Sequence, residues 1–201
     1  MVIGKLVKSN AHIDYVCQVF HPGEVAQPPT PADYAFGNFV RIPLDGEPLC
    51  WLVGVIYDTI LLNPEFGRLG PRLSSPAELA VFAPDYLNEK VVLVGVLVIG
   101  TLTETGEVNQ SLPRLSAQTG SLVELMPATQ VRIFHLIEEK LSLTYLPRLL
   151  GYQPRLGLDL LRTLLHHVQQ VTTEPEHQQV LHVLLDSLIW RHQVAPFGEG
   201  G

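Results

Sequence analysis

The stretch Gln110-Ser-Leu-Pro-Arg-Leu-Ser-Ala-Gln-Thr-Gly-Ser-Leu-Val-Glu-Leu-Met126 decides the fold of this 201-residue chain. It follows a long apolar run, Val91–Thr101, and a polar turn at residues 104–107. Within it, a proline and a glycine precede a short apolar segment, and a short helix is predicted to begin at Pro127. This order predicts the closing segment of a small β-barrel that ends where a helical region begins.

Working outward, apolar residues recur at the spacing of β-strands in segments bounded by turn residues. The predicted strands are residues 2–8, 15–20, 37–42, 49–57, 91–101 and 121–125. The third is predicted to end at Pro43, and the Pro-rich stretch 22–31 breaks regular structure before it. Because no helix of crossover length separates the strands, we expect a six-stranded, mostly antiparallel β-barrel over residues 1–135.

Residues 63–89 are predicted to be an insertion between the fourth and fifth strands. Asn63–Arg72 contains too many Gly and Pro residues for a helix. Ser75-Pro-Ala-Glu78 then predicts the start of a short helix that continues to Phe82.

Beyond residue 135 the apolar residues follow a helical period. One set is spaced by three and four residues, and a second follows a capping-box pattern at Thr173–Glu176. The first set is Leu158, Leu161, Leu165 and Val168, and the second is Val180, Leu181, Leu184, Leu185 and Leu188. Residues 136–194 are therefore predicted to form an α-helical hairpin region, with a hinge at 151–154 and a disordered tail at 195–201.

The composition excludes several classes of function. The net charge of −7 is spread along the chain, so a broad basic surface for nucleic acid is not indicated. Residues 51–62 and 91–102 are the most apolar segments, and both are shorter than the ~20 residues that span a bilayer. The N-terminus lacks the apolar core of a signal peptide. We expect a cytoplasmic protein with no nucleic-acid or membrane partner.

Cys17 and Cys50 both fall inside apolar strand segments. This placement fits buried thiols in a reducing compartment better than a disulfide framework, although the two can be neighbours in the sheet. A catalytic cysteine needs an accessible, electropositive setting with a positioned histidine, which these segments do not offer.

Other candidates for chemistry are weak. The helical region holds five of the eight histidines: His166, His167, His177, His182 and His192. Their spacing lacks the i,i+3 or i,i+4 pair of a metal site on one helix, and only convergence across the hairpin would bring ligands together. Gly120-Ser121 lacks the setting of a hydrolase nucleophile, and Glu104/Glu107 and Glu138/Glu139 fit solvated turns and helix ends. We expect no catalytic residue, metal or cofactor.

Five short pieces of the chain carry a family resemblance. They are Ile3-Gly-Lys-Leu-Val, Gly37-Asn-Phe-Val-Arg-Ile, Trp51-Leu-Val-Gly-Val-Ile, Val94-Gly-Val-Leu-Val-Ile-Gly100, and Pro113 with Gly120 and Val123. Together they resemble the HAS-barrel, the N-terminal β-barrel of HerA-type ATPases, which is related to the ATP synthase barrel. With its insertion and helical tail, the chain is similar to cyanobacterial proteins that keep the barrel without the ATPase domain. The resemblance implies barrels that pack around a ring and offer a docking face to partner proteins.

The chain departs from those ATPases after the barrel. It has no Gly-x4-Gly-Lys-Ser/Thr pattern, whose backbone amides and lysine would hold phosphates. The nearest stretch, Gly67–Arg72, lacks the lysine and the hydroxyl, and Pro71 removes an amide donor. The resemblance therefore implies docking on a partner or self-association, without ATP hydrolysis.

The insertion carries the candidate binding residues. Phe66, Arg68, Leu69 and Arg72 combine aromatic, aliphatic and arginine side chains on a loop held by a rigid barrel, as interface hot spots do. The same segment can instead be a structural arm over the open end of the barrel. Three aromatic residues belong either to this surface or to the core: Tyr34, Phe36 and Tyr86.

These observations favour a non-enzymatic protein-interaction or assembly module that docks on an ATPase or forms its own oligomer. The alternative is a barrel that binds a small or phosphate-bearing ligand through Arg68, Arg72 and Arg114 at one rim. A hydrolase is a third possibility, and it requires acidic and histidine residues that converge in one pocket.

Overall fold

A computed structural model describes residues 1–46, 48–62, 91–152 and 156–194, with only the backbone described for 189–194. The predicted helix at 75–82, the second half of the predicted hinge at 151–154, and the predicted disordered tail lie outside these residues. The strands are β1 (Val2–Ala11), β2 (Asp14–Val19), β3 (Phe39–Leu44), β4 (Cys50–Leu62), β5 (Val91–Thr103), β6 (Val108–Asn109), β7 (Leu122–Leu125), β8 (Leu136–Ile137) and β9 (Lys140–Leu141). The helices are α1 (Ala128–His135), α2 (Leu146–Tyr152), α3 (Gly157–Val171) and α4 (Pro175–Val194).

Six strands close into an antiparallel barrel. Their order is β2-β1-β7-β3-β4-β5, and β2 pairs with β5 to complete the circle. The short strand β6 adds to β5 beside the barrel. The structure thus confirms the predicted six-stranded barrel followed by a smaller helical region.

The barrel interior is filled by apolar side chains that alternate along the strands. Ile3, Phe39, Ile42, Leu52, Val55 and Leu97 are among the fully buried residues. As predicted, β4 is buried on both faces through Tyr57, and β5 is similar. The helical region covers part of the barrel, and its Phe134, Tyr145 and Leu149 belong to the same apolar core.

Two polar side chains dock the helical region on the barrel. The buried Gln110 amide donates to the carbonyls of Phe134 and Ser142, each over 2.9 Å, and its oxygen accepts the Thr144 amide at 2.8 Å. The Arg148 guanidinium donates to the carbonyls of Ile99 and Gln110 at 2.6 and 3.2 Å. Because every polar atom of the Gln110 amide has a partner, its burial costs little.

The prediction that β3 ends at Pro43 is wrong. Pro43 lies inside β3 and pairs with Trp51 of β4. On its other side, β3 pairs with β7 only at Val40 and Arg41. Because the pairing of β3 with β7 does not reach Pro43, its missing N–H costs no ladder bond.

The helical region contains more elements than the predicted hairpin of two helices. The hairpin β8–β9 and the short helix α2 precede the predicted pair, α3 and α4. Leu181 and Leu185 of α4 are buried as expected, but Val180 is half exposed. The helix begins at Pro175, and the Glu174 carboxylate, instead of the Thr173 hydroxyl, accepts a local amide there.

Candidate interaction surfaces

β4 and β5 continue past the rim of the barrel as a two-stranded extension, which we call the ribbon (residues 58–62 and 91–93). The two strands stay paired to their ends, where Leu62 lies opposite Val91. On the other side of β5, the pairing with β2 ends where Gln18 lies opposite Leu93. The ribbon is therefore a projection with few neighbours among the described residues.

Three consecutive side chains of the ribbon are apolar and exposed. Ile60 is 43%, Leu61 is 74% and Leu62 is 49% exposed. Successive side chains of a strand point to opposite faces, so apolar surface is open on both sides of the ribbon. Exposed apolar patches are a feature of many binding surfaces, which makes the ribbon a candidate.

A β-bulge lies at the base of the ribbon. The register of β4 against β5 shifts between Ile56 and Asp58, which makes Tyr57 the extra residue. Its ring packs over Gly95, where an added Cβ would lie 2.8 Å from the nearest ring carbon. Bulges bend a strand and increase its twist, so β4 changes direction at the base of the ribbon.

Asp14 is the buried carboxylate closest to this bulge. Its oxygens accept hydrogen bonds from the Tyr57 hydroxyl at 2.7 Å, the Tyr152 hydroxyl at 2.8 Å and the Asn10 amide at 3.2 Å. Burial, followed by the hydrogen bond to Asp14, raises the pKa of Tyr152 to about 12 and that of Tyr57 still further. With both oxygens occupied by donors, this carboxylate positions α2 and the bulge and is not free to act as a general base.

A polar cleft of about 560 Å³ lies between α1, the β8–β9 hairpin and the start of α4. Its Arg132 forms an ion pair with Glu174. Hydrogen bonds from the backbone and from Arg132 lower the pKa of the partly buried Glu174 to about 2. Glu138 and Glu139 form the hairpin turn, as expected of solvated residues. His177 also lines the cleft, with its Nδ1 3.8 Å from Glu174 Oε2 and without a hydrogen bond among the described residues.

A second apolar surface lies among the helices. It is a groove of about 260 Å³ between α2, α3 and α4, lined by Leu146, Leu150, Leu161, Leu165, Leu184 and Leu188, with Ser187 as its polar member. Leu150 is partly exposed at its edge.

Among the helices that the structure describes, none is both long and apolar enough to cross a membrane.

Residues 1–196 match the model of a family described as a domain of unknown function, DUF8166. The chain belongs to this family. No curated protein gives a match. The DUF8166 match covers the barrel and the helical region together, so both parts belong to the family's common unit, and the HAS-barrel relationship stays a prediction.

The structure places one of the five predicted binding residues of this DUF8166 chain. Phe66, Arg68, Leu69 and Arg72 lie outside the described residues, as does Tyr86. Arg114 is exposed on the loop between β6 and β7. That loop is fixed by bonds from the His12 ring to the Pro113 carbonyl and from Gln118 to Asp45. It therefore lies near the start of β4, whereas the insertion joins the sheet at the other end of β4.

The remaining predicted candidates serve the fold. Tyr34 and Phe36 pack against the core. Burial raises the pKa of the Cys17 thiol to about 12, which makes it unreactive at neutral pH. Both cysteines are free, and Cys50 pairs with Thr103, far along the sheet from Cys17. His167 packs edge-on against Phe39, with ring centroids 5.2 Å apart.

Sequence reasoning missed the ribbon. The apolar run of β4 was expected to end at Tyr57, but the strand continues through Leu62. The available signal was the uninterrupted Thr59-Ile-Leu-Leu62, whose apolar residues continue past the length that the barrel buries.

Proposed function

We propose that this protein is a non-enzymatic protein-interaction module whose partner docks on the ribbon. The observation that carries the proposal is the exposure of Ile60, Leu61 and Leu62 at the end of a strand that is otherwise buried. Covering three such side chains contributes about 25 cal/mol per Å² of apolar surface removed from water, enough to support specific binding.

Several buried polar groups of the described residues support a binding role because they are bonded within the fold. Asp14 is held by two phenols, and Gln110 joins the barrel to the helical region. The His135 ring lies between the Val131 carbonyl and the Tyr145 hydroxyl, at 2.7 and 2.9 Å. These groups hold the scaffold rigid, which suits a module that presents a surface.

The ribbon is also the stem of the insertion at residues 63–89. A partner seated on Leu61 and Leu62 therefore meets the chain at the point where the segment with Phe66, Arg68 and Arg72 begins. We propose that the two form one continuous docking surface. The resemblance to the HAS-barrel makes a HerA-type ATPase in the cytoplasm the proposed partner, with assembly of the chain into its own ring as the other form of the same proposal.

The test is co-purification of the tagged protein from its source under native conditions, followed by mass spectrometry. The Leu61→Glu variant places a charge at the centre of the ribbon, and we expect it to lose the stoichiometric partner. The matched control is Leu115→Glu, because Leu115 is 64% exposed on the loop at the other end of β4. This control should retain the partner. A double variant, Arg68→Ala with Arg72→Ala, measures how much the insertion contributes to partner binding.

A partner that is retained by Leu61→Glu and lost by Leu115→Glu would move the docking surface to the loop that carries Arg114. Absence of any stoichiometric partner, with a monodisperse monomer in solution, would contradict the proposed function.

A further inference from the structure

The outer side of β4 has no strand partner along the ribbon within the described residues. The pairing of β3 with β4 begins at Phe39, which lies opposite Val55. Two backbone bonds, between Ile56 and the segment Gly37–Asn38, extend that contact by one residue. From Asp58 to Leu62 no described residue pairs with this edge, which runs for five residues beside three exposed apolar side chains.

Within the described residues, this edge carries one protecting feature, the charged Asp58 at its base, and lacks the others that usually protect an edge strand. Natural proteins place lysine or proline on such edges, or keep them very short, to prevent pairing with other chains. The sequence Thr59-Ile-Leu-Leu62 has neither residue. The bulge at Tyr57 lies at the base, before the open stretch. A weakly protected edge of this length is the feature that strand-adding partners use.

One backbone bond shows which amides face the open side. The Thr59 N–H donates to its neighbour's side chain, Asp58 Oδ1, at 2.8 Å. Alternate residues of an antiparallel strand direct their backbone groups to opposite sides, so the Leu61 amide faces the same side as that of Thr59. The Asp58 carboxylate occupies the place that the carbonyl of an added strand would take.

We propose that this edge binds an extended segment of a partner protein, which adds to the sheet as a new strand beside residues 58–62. The segment carries apolar residues at every second position, to cover one face of the ribbon, and a lysine or arginine that pairs with Asp58. On binding, a carbonyl of the segment accepts the Thr59 amide and releases the Asp58 carboxylate for this ion pair. The inference rests on the proposed function and specifies the chemistry of its partner.

Charge and size favour such a segment over a second copy of this chain. In a two-fold antiparallel pairing centred on Ile60, each Asp58 would face the apolar Leu62 of the other copy. Each copy also carries a net charge of −7. A five-residue edge covers much less than the ~1,600 Å² of a typical stable interface between folded proteins. A flexible segment gains the backbone bonds and supplies the missing positive charge.

The test selects binders from a displayed library of random octapeptides against the purified full-length protein, with counter-selection against the Leu61→Pro variant. Proline at 61 removes an amide that faces the open side, so the β4–β5 pairing remains. The Leu61→Ala variant keeps the amide and loses the side chain, and thermal unfolding of both variants verifies their fold. We expect enriched peptides with alternating apolar residues and one basic residue. They should bind wild type, bind Leu61→Ala more weakly by about tenfold, and not bind Leu61→Pro.

A selected peptide with alternate N-methylated amides provides the decisive control, because methylation on the strand-pairing side removes its donors and should abolish binding. Three results would overturn the inference: peptides with helical spacing, equal binding to Leu61→Pro, or a concentration-dependent dimer that Leu61→Pro abolishes. If these occur while the native partner still depends on Leu61, strand addition fails and the proposed function stands. If no native partner exists, the proposed function fails separately.

Discussion

The Tyr152 hydroxyl lies 2.8 Å from Asp14 Oδ2 and joins the last residue of α2 to the first residue of β2. The other oxygen of the same carboxylate accepts the hydroxyl of Tyr57, the bulged residue at the base of the ribbon. Asp14 therefore connects the packing of the helical region to the direction in which the ribbon leaves the barrel.

Replacing Asp14 with asparagine should lower the free energy of unfolding by about 2–3 kcal/mol, measured by urea denaturation. The amide keeps the shape of the carboxylate but accepts through one atom only, which leaves a buried phenol without a partner. Tyr152→Phe removes a single hydrogen bond and should cost about 1 kcal/mol. Equal stability of Asp14→Asn and wild type would show that the hydrogen bonds of Asp14 do not stabilise the fold.

Gly95→Ala should destabilise the protein by about 1–3 kcal/mol, because the new Cβ would lie 2.8 Å from the Tyr57 ring and must displace it. The matched control is Gly151→Ala in α2, where nothing lies within 4 Å of the added Cβ. That change should be neutral or stabilising by up to about 1 kcal/mol, since alanine favours helix. Thermal unfolding of the pair compares them, and a control as unstable as Gly95→Ala would contradict the packing argument.

Stability should fall above about pH 10, the usual pKa of tyrosine. The pKa of Tyr152 is raised to about 12 and that of Tyr57 further, so the folded protein keeps protons that the unfolded chain loses. Each such group removes about 1.4 kcal/mol per pH unit as the pH rises through this window. In Tyr152→Phe the slope of unfolding free energy against pH should be smaller by the contribution of one proton, about 1.4 kcal/mol per pH unit. An unchanged slope would show that Tyr152 does not contribute to the loss of stability.

The buried His135 should make the protein less stable in mild acid. Burial lowers its pKa to about 4, against about 6.5 in an unfolded chain, so the unfolded state binds an extra proton between these values. Stability should therefore decrease by up to about 3 kcal/mol as the pH falls from 6.5 to 4. His167, whose pKa burial also lowers, adds to this effect. The slope of unfolding free energy against pH should be smaller in His135→Gln than in wild type. An equal slope would show that other groups cause the loss of stability.

The same histidine has a defined tautomer. The Val131 carbonyl can only accept, so Nδ1 carries the proton and Nε2 accepts from the Tyr145 hydroxyl. Nitrogen chemical shifts from NMR should report the Nδ1–H form at neutral pH. Detection of the Nε2–H form would contradict the assigned bonds.

The barrel could be predicted from local pattern because its strands alternate or run apolar for their whole length. The segments around Val40, Val53 and Val96 each carry this signal within a few residues. The interior position of Pro43 could not be predicted, since it depends on where the pairing between β3 and β7 stops, and β7 is distant in the sequence. Tertiary context decided that boundary, as it commonly does for strands.

Neither the buried Asp14 hydrogen-bond network nor the ribbon could be predicted from local sequence, because both also depend on tertiary structure. Asp14, Tyr57 and Tyr152 are far apart in sequence, and only the closure of β2 on β5 and the docking of α2 bring them together. Leu61 and Leu62 resemble core residues in composition. Their exposure depends on β2 and β3 being shorter than β4, a property of the assembled sheet.

The most direct measurement of the central claim is amide hydrogen exchange of the protein, free and bound to the partner that co-purifies with it. Docking on the ribbon predicts slower exchange at residues 59–62 and 91–93, with the loop at 111–120 unchanged. Slower exchange at that loop or along α4, with the ribbon exchanging at the same rate in both states, would contradict the account.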